Sequence, residues 1–204
     1  MARIRWLGGL AGLALLAVGT GAAAHSPAAP RGRAPIERQA IYHEAPRFTL
    51  ITQDGGRLAL DDLRGKAVLV NFIYTTCPDV CPVATAKFRR VQELVRARGL
   101  AGQVALVSIS TDPDVDTPEV LKAYGRRSGA DFAVWSFLTG PADAVSRVWD
   151  RFGVVAVARA RGDVDHSSMT FLLDRTGRFR LIYLGYGWRE EDVATDIVRL
   201  LAPG

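Results

Sequence analysis

An α/β domain on a mixed central sheet is the fold class this chain predicts, and three observations predict it. Two apolar runs, residues 66–74 and 104–110, have the length and composition of strands buried on both faces of a parallel sheet. Each is followed by a segment whose apolar residues recur at helical spacing. The chain then closes on a hairpin pattern and one further helix.

The first element is a hairpin over 48–60. Phe48-Thr-Leu-Ile-Thr and Arg57-Leu-Ala-Leu flank Asp54-Gly-Gly56, where Asp and Gly accept the positive φ of a tight turn. Residues 61–65 read as a short turn, and 66–74 as the first core strand. A helix over 82–98 follows, with Val83, Ala84, Phe88, Val91, Leu94 and Val95 at helical spacing. Pro82 suits its first position, because proline has no amide hydrogen and a fixed φ, and this makes Cys81 the N-cap. After the strand at 104–110, Thr117 and Pro118 open a helix as N-cap and first residue, and Gly125 ends it. A strand at 132–138 precedes a helix at 142–152, which carries Val145, Val148, Trp149 and Phe152 on one face. Residues 159–165 read as a loop. Residues 169–173 and 179–183 form an antiparallel hairpin around Asp174-Arg-Thr-Gly177, and a helix over 189–201 completes the domain. This is a thioredoxin-like order: a central mixed sheet flanked by helices, with an added N-terminal β-hairpin and a site at the end of the first parallel strand.

Three segments divide the chain. Residues 1–24 carry Arg3 and Arg5, an apolar stretch from Trp6 to Val18 and a small-residue end in which Ala22 and Ala24 fit a cleavage site. The stretch is also uncharged over about the 20 residues a membrane crossing needs, so it reads as a signal peptide or a membrane anchor. Both place the domain outside the cytoplasm, in the periplasm or at the outer face of the inner membrane. Residues 25–47, rich in Pro, Ala and Arg, read as a flexible linker. Residues 48–204 are the folded domain, long enough to bury a sizeable core. The formal net charge of +5 falls to +3 without Arg3 and Arg5, and the basic residues are scattered. The doublets Arg89-Arg90 and Arg126-Arg127 read as solvated surface, and no nucleic-acid footprint is present.

The cysteines are the chemical signal. The two in the chain, Cys77 and Cys81, are four residues apart, between the first core strand and the helix after it. As a staple they achieve little, since closing so short a loop contributes about 2 kcal/mol at most. In an exported, oxidising compartment an idle pair becomes a disulfide, so a role as thiols needs a reductant or a metal. The positive end of the following helix is expected to stabilise thiolate at Cys81. His166, just before the closing hairpin, is the third candidate donor, with Asp165 as its orienting neighbour or a plain turn residue. Two thiolates and an imidazole form a soft three-donor set suited to Cu(I), and too few for closed structural zinc.

Several segments carry a family resemblance. Tyr74-Thr-Thr-Cys-Pro-Asp-Val-Cys-Pro82, Ser108-Ile-Ser-Thr-Asp-Pro-Asp114, Asp116-Thr-Pro-Glu-Val-Leu-Lys-Ala-Tyr124, Phe152-Gly-Val154 and Val164-Asp-His-Ser-Ser168 together resemble the Sco/SenC family of copper-binding, thioredoxin-like proteins. The resemblance spans roughly residues 48–201. It implies that Cys77, Cys81 and His166 are copper ligands and that Cys77 and Cys81 form a redox-active pair. It also implies a metallochaperone that delivers copper to, or sets the thiol state of, the dinuclear copper site of cytochrome c oxidase. The implied partners are the oxidase's copper-bearing subunit and a thiol reductant or upstream copper donor; the implied cargo is Cu(I), with Cu(II) as a second state.

Other readings stay open. A metal-independent thiol–disulfide oxidoreductase is one, although three residues separate the cysteines and Met169 stands where a cis-proline belongs in that class. A peroxiredoxin is weaker, because Tyr74 occupies the position of its threonine. A non-enzymatic copper or redox sensor leaves the ligands unchanged. Cleavage after Ala24 makes His25 either an N-terminal Cu(II) chelator or a plain tether residue. His43 reads as solvated, Met169 as a packing residue or weak thioether donor, and Asp112 and Asp114 as a turn or an acidic docking surface.

Overall fold

The computed structural model describes residues 38–78, 80–158, 164–166 and 168–202, with side chains at 38–78, 80–155 and 168–202. Segment 1–24 and His25 therefore lie outside the described residues. Among the described residues no helix is long and apolar enough to cross a membrane.

In chain order the elements are β1 Arg38–Ala40, β2 Thr49–Thr52, β3 Arg57–Ala59, β4 Ala67–Ile73, α1 Val80–Ala97, β5 Val104–Ser110 and α2 Pro118–Arg127. They continue with β6 Trp135–Thr139, α3 Ala142–Phe152, β7 Ala156–Ala158, β8 Val164–His166, β9 Met169–Leu173, β10 Phe179–Leu184 and α4 Glu190–Leu201. The eight-stranded sheet runs β1-β10-β9-β4-β5-β6-β2-β3, while β7 and β8 pair separately. β4, β5 and β6 are parallel; β9 and β2 run against them, and β10, antiparallel to β9, runs with them.

Every residue of β4 and β5 is buried, as an uninterrupted apolar run demands when both faces are covered. Leu69 and Ile73 of β4 point to one face, with Phe88 and Val91 of α1, Tyr124 of α2 and Ile197 of α4. Val68, Val70 and Phe72 point to the other, with Val145, Val148 and Phe152 of α3. Two-residue alternation sorts each strand between the layers.

Five boundaries differ from the sequence reading. Ordered structure begins before Phe48: β1 pairs with β10, and the Phe179 amide donates to the His43 carbonyl at 2.9 Å. The prolines and arginines of 25–47 hid this short edge strand, which has no apolar alternation and is exposed throughout. α1 starts at Val80, so Cys81 lies inside the first turn and is not the cap. Pro82 is tolerated at the third position because its missing amide hydrogen is among those a helix start leaves unpaired anyway. α2 runs through Gly125 to Arg127; a Cβ there would lie 2.6 Å from Phe132 and 2.9 Å from Phe137, so the glycine serves close packing. β6 starts at Trp135, because the amides of Val134 and Trp135 both turn back to the Asp131 carbonyl at 2.9 and 2.8 Å. The expected loop over 159–165 gives way at Val164 to β8, which pairs with β7.

Candidate dithiol and metal centre

The parallel strand β4 ends at Ile73 and the chain turns at once: the Cys77 amide donates to the Tyr74 carbonyl at 3.3 Å. The turn delivers Cys77 to the mouth of α1, where its Sγ accepts from the Cys81 amide at 3.3 Å. A sulfur thus does the work usually given to a capping oxygen. Both cysteines are buried, Cys81 almost wholly at 1% exposure.

That burial overturns the expectation that the helix end makes Cys81 a ready thiolate. Burial pushes the Cys81 thiol well above its ordinary range, and the hydrogen bond with Cys77 and nearby Asp116 add to the rise. A backbone hydrogen bond with Tyr74 opposes them and is outweighed. Desolvation is the largest influence on the sulfur and sets the direction.

Three further side chains belong to this centre. Asp116, fully buried, accepts from the Thr75 hydroxyl at 2.5 Å, the Thr75 amide at 3.2 Å and the Ser110 hydroxyl at 2.7 Å. It ties the cysteine loop to the end of β5, and burial raises its carboxyl. Tyr124 shares a 2.6 Å hydrogen bond with Thr85, one turn beyond Cys81; burial pushes its phenol up to about 12, with Cys81 and Cys77 contributing. Tyr186 is raised by burial too, hydrogen-bonds Ser168 and also senses both cysteines. Asp116 and Tyr124 lie in motifs the sequence displays, but their inward aim does not show there. Tyr186 carries no local signal at all, since only the sheet brings the turn after β10 to the cysteines.

His166 ends β8, its backbone paired with Ala156; its side chain, like that of Asp165, lies outside the described residues. Two residues on, the Ser168 carbonyl accepts from the Gly185 amide at 2.8 Å, beside Tyr186. Among the described residues no three His, Cys, Asp or Glu side chains converge as a metal site. Met169 packs against the α3-side core. The Asp112 carbonyl accepts from the amides of Val115 and Asp116 at 3.2 and 2.8 Å, so this segment is a turn. His43 is exposed, with Phe179 edge-on at 5.0 Å.

A buried cysteine pair between the first parallel strand and its helix, on a mixed sheet covered on both faces, defines a thioredoxin-like dithiol protein. The SCO1/SenC family model matches residues 37–202, and the chain belongs to that family. Its sequence is 37% identical over 139 residues to an SCO2-like protein of Rickettsia prowazekii, and the match spans 65% of each chain. BsSco is similar in structure, with TM-score 0.71 and 27% identity over 81% of this chain and 98% of that one. It is described as a member of the Sco family of cytochrome c oxidase assembly proteins with a disulfide switch. A copper-bound ScoI from Bradyrhizobium japonicum superposes with TM-score 0.66 at 31% identity, over 78% of this chain and 99% of that one.

Proposed function

We propose that this chain is an exported copper-binding protein that delivers copper to, or sets the thiol state of, the dinuclear copper site of cytochrome c oxidase. The observation that carries the reading is the Cys77 sulfur held on the Cys81 amide, which keeps both sulfurs in one turn at a helix mouth. Copper is the cargo, and Cys77, Cys81 and His166 are its ligands. The donor set fits: two soft sulfurs and an imidazole match Cu(I). The copper-bound Bradyrhizobium relative and the oxidase-assembly description of BsSco support the same reading.

Because burial holds Cys81 protonated in the apo protein, capture of Cu(I) releases that proton. Affinity therefore falls as pH falls. Cargo leaves by exchange onto thiols and imidazoles of the oxidase's copper-bearing subunit, and a thiol reductant or an upstream copper donor reloads the pair. The apolar segment at 6–24 holds or exports the domain to the periplasmic side of the inner membrane.

The disulfide switch ascribed to BsSco favours a second reading, a thiol–disulfide oxidoreductase that works without metal. Anaerobic titration of the reduced protein with Cu(I), beside a disulfide-reductase assay, separates the two. One Cu(I) per chain with negligible turnover, greatly weakened in His166→Ala, is the expected result. Rapid turnover without copper assigns the oxidoreductase, and unchanged affinity in His166→Ala removes that histidine from the site.

A further inference from the structure

Beside the cysteines, α1 and α2 leave a groove of about 360 Å³ between them. Its mouth is Pro82, the neighbour of Cys81; its floor is Tyr124, hydrogen-bonded to Thr85; its walls are the side chains of Arg89 and Arg127. The two arginines come from the two sequence doublets, which the fold brings to opposite banks of one cleft.

Arg127 is held in place, and Arg89, with its side chain 54% exposed, pairs with Glu93 at 3.5 Å. The Arg127 guanidinium lies 4.8 Å above the Tyr124 ring. Gly129, at φ +76°, leaves room for the Arg89 stem, which a Cβ there would approach to 3.1 Å. The banks are braced together: the Gln92 amide donates to the Gly129 carbonyl at 3.1 Å, and its Oε1 accepts from the Asp131 amide at 2.8 Å. A cleft whose banks are braced loses little entropy when something enters it. The polypeptide exposes Pro82 and Val83 at the sulfur end, so an entering chain meets apolar surface beside the cysteines and positive charge beyond.

We propose that the α1–α2 groove receives an acidic, extended segment of the protein that exchanges with the cysteine pair, and so aligns that partner's sulfur with Cys77 and Cys81. This inference rests on the reading that the pair exchanges with a partner protein, and is independent of whether copper or electrons are exchanged. Charge complementarity selects the occupant: the two arginines across the cleft outnumber Glu93, the carboxylate beside Arg89, so the cleft attracts carboxylates and repels basic chains.

The probes are two 12-residue peptides, one glutamate-rich and one lysine-rich, each bearing one cysteine as a mixed disulfide with nitrothiobenzoate. A thiolate of the reduced full-length chain attacks the peptide sulfur and nitrothiobenzoate leaves with the electron pair. The second cysteine then displaces the peptide thiol, closing the Cys77–Cys81 disulfide. At low ionic strength the acidic peptide is expected to react about tenfold faster than the basic one, and salt erases the difference. Arg89→Glu with Arg127→Glu reverses the order, and Arg89→Gln with Arg127→Gln abolishes it. Arg147→Glu with Arg175→Glu, an equal charge change at exposed sites on α3 and at the far turn, preserves it. Equal rates for the two peptides, or an equal effect of both charge reversals, overturns the groove as the docking site. A reduced chain that reacts with neither peptide overturns partner exchange, and the groove's role with it.

Discussion

Asp116 and Asp174 are both buried acids, set at opposite ends of the central sheet, and their surroundings push them in opposite directions. For Asp174, in the turn after β9, burial is the largest single influence and raises the carboxyl. It is outweighed by the Thr176 hydroxyl, the Arg178 and Thr176 amides and the Arg180 guanidinium, whose Nε lies 2.7 Å away. For Asp116, beside the cysteine loop, burial prevails over the donors from Thr75 and Ser110, and Asp112 adds its own charge. The far end is a closed turn in which Asp174 is answered by Arg180 and by the donors around it. The dithiol end keeps a carboxyl and a thiol in environments that resist their ionisation, as functional sites commonly do.

The largest expected effect is at the far end. Asp174→Ala strips a partner from two amides, a hydroxyl and a guanidinium, and should cost about 3 kcal/mol in urea denaturation. Because its folded pKa is depressed, Asp174 stabilises fully above the ordinary carboxylate range near pH 4 and loses that contribution as pH falls through the depressed value. Asp174→Asn should therefore flatten the acid limb of the stability profile. The alkylation rate of the cysteines should not change; a parallel change there would break the separation of the two ends.

Asp116→Ala comes next, at about 2 kcal/mol, because it orphans the Thr75 amide and the Ser110 hydroxyl. Here alkylation should change, since Thr75 lies two residues before Cys77. The pH dependence has the opposite sign. With its folded pKa raised, the contribution of Asp116 is full below the ordinary carboxylate range and is lost as pH rises through the raised value. Asp116→Asn should remove that loss. A profile that Asp116→Asn leaves unchanged would show that the buried carboxyl is no site of stored cost.

The smallest effect sharpens the comparison within the dithiol end. Cys77→Ala leaves the Cys81 amide without its sulfur and should cost about 1 kcal/mol, whereas Cys77→Ser retains an acceptor and should cost about half that. Equal losses in thermal denaturation would mean that the sulfur contributes bulk and no hydrogen bond.

Elements with a local cause were legible. Thr117 caps α2 as read, its Oγ1 accepting from the Val120 amide at 3.4 Å. α3 has the expected bounds, ended by Gly153 in the left-handed region. β5 also matches residue for residue, because a run buried on both faces needs no partner to declare itself. The start of α1 was misplaced by two residues, since a proline is acceptable at any of the first helical positions and only the Cys77 sulfur decides which. β1 and the β7–β8 ribbon are not legible, being three-residue pieces: β1 is ordered by pairing with β10 far along the chain, and β7 and β8 only by pairing with each other.

The amino-acid order alone determined the layered α/β plan and the delivery of two cysteines to a helix mouth, because periodicity, proline and glycine act over a few residues. Tertiary structure decided the rest: that Cys81 is too deeply buried to ionise readily, that Asp116 grips its loop, that Tyr186 stands beside the sulfurs, and that Arg89 and Arg127 face each other across a cleft. Solvent exclusion and charge proximity depend on which surfaces meet in space, and those distances exist only once the sheet has closed between its helices.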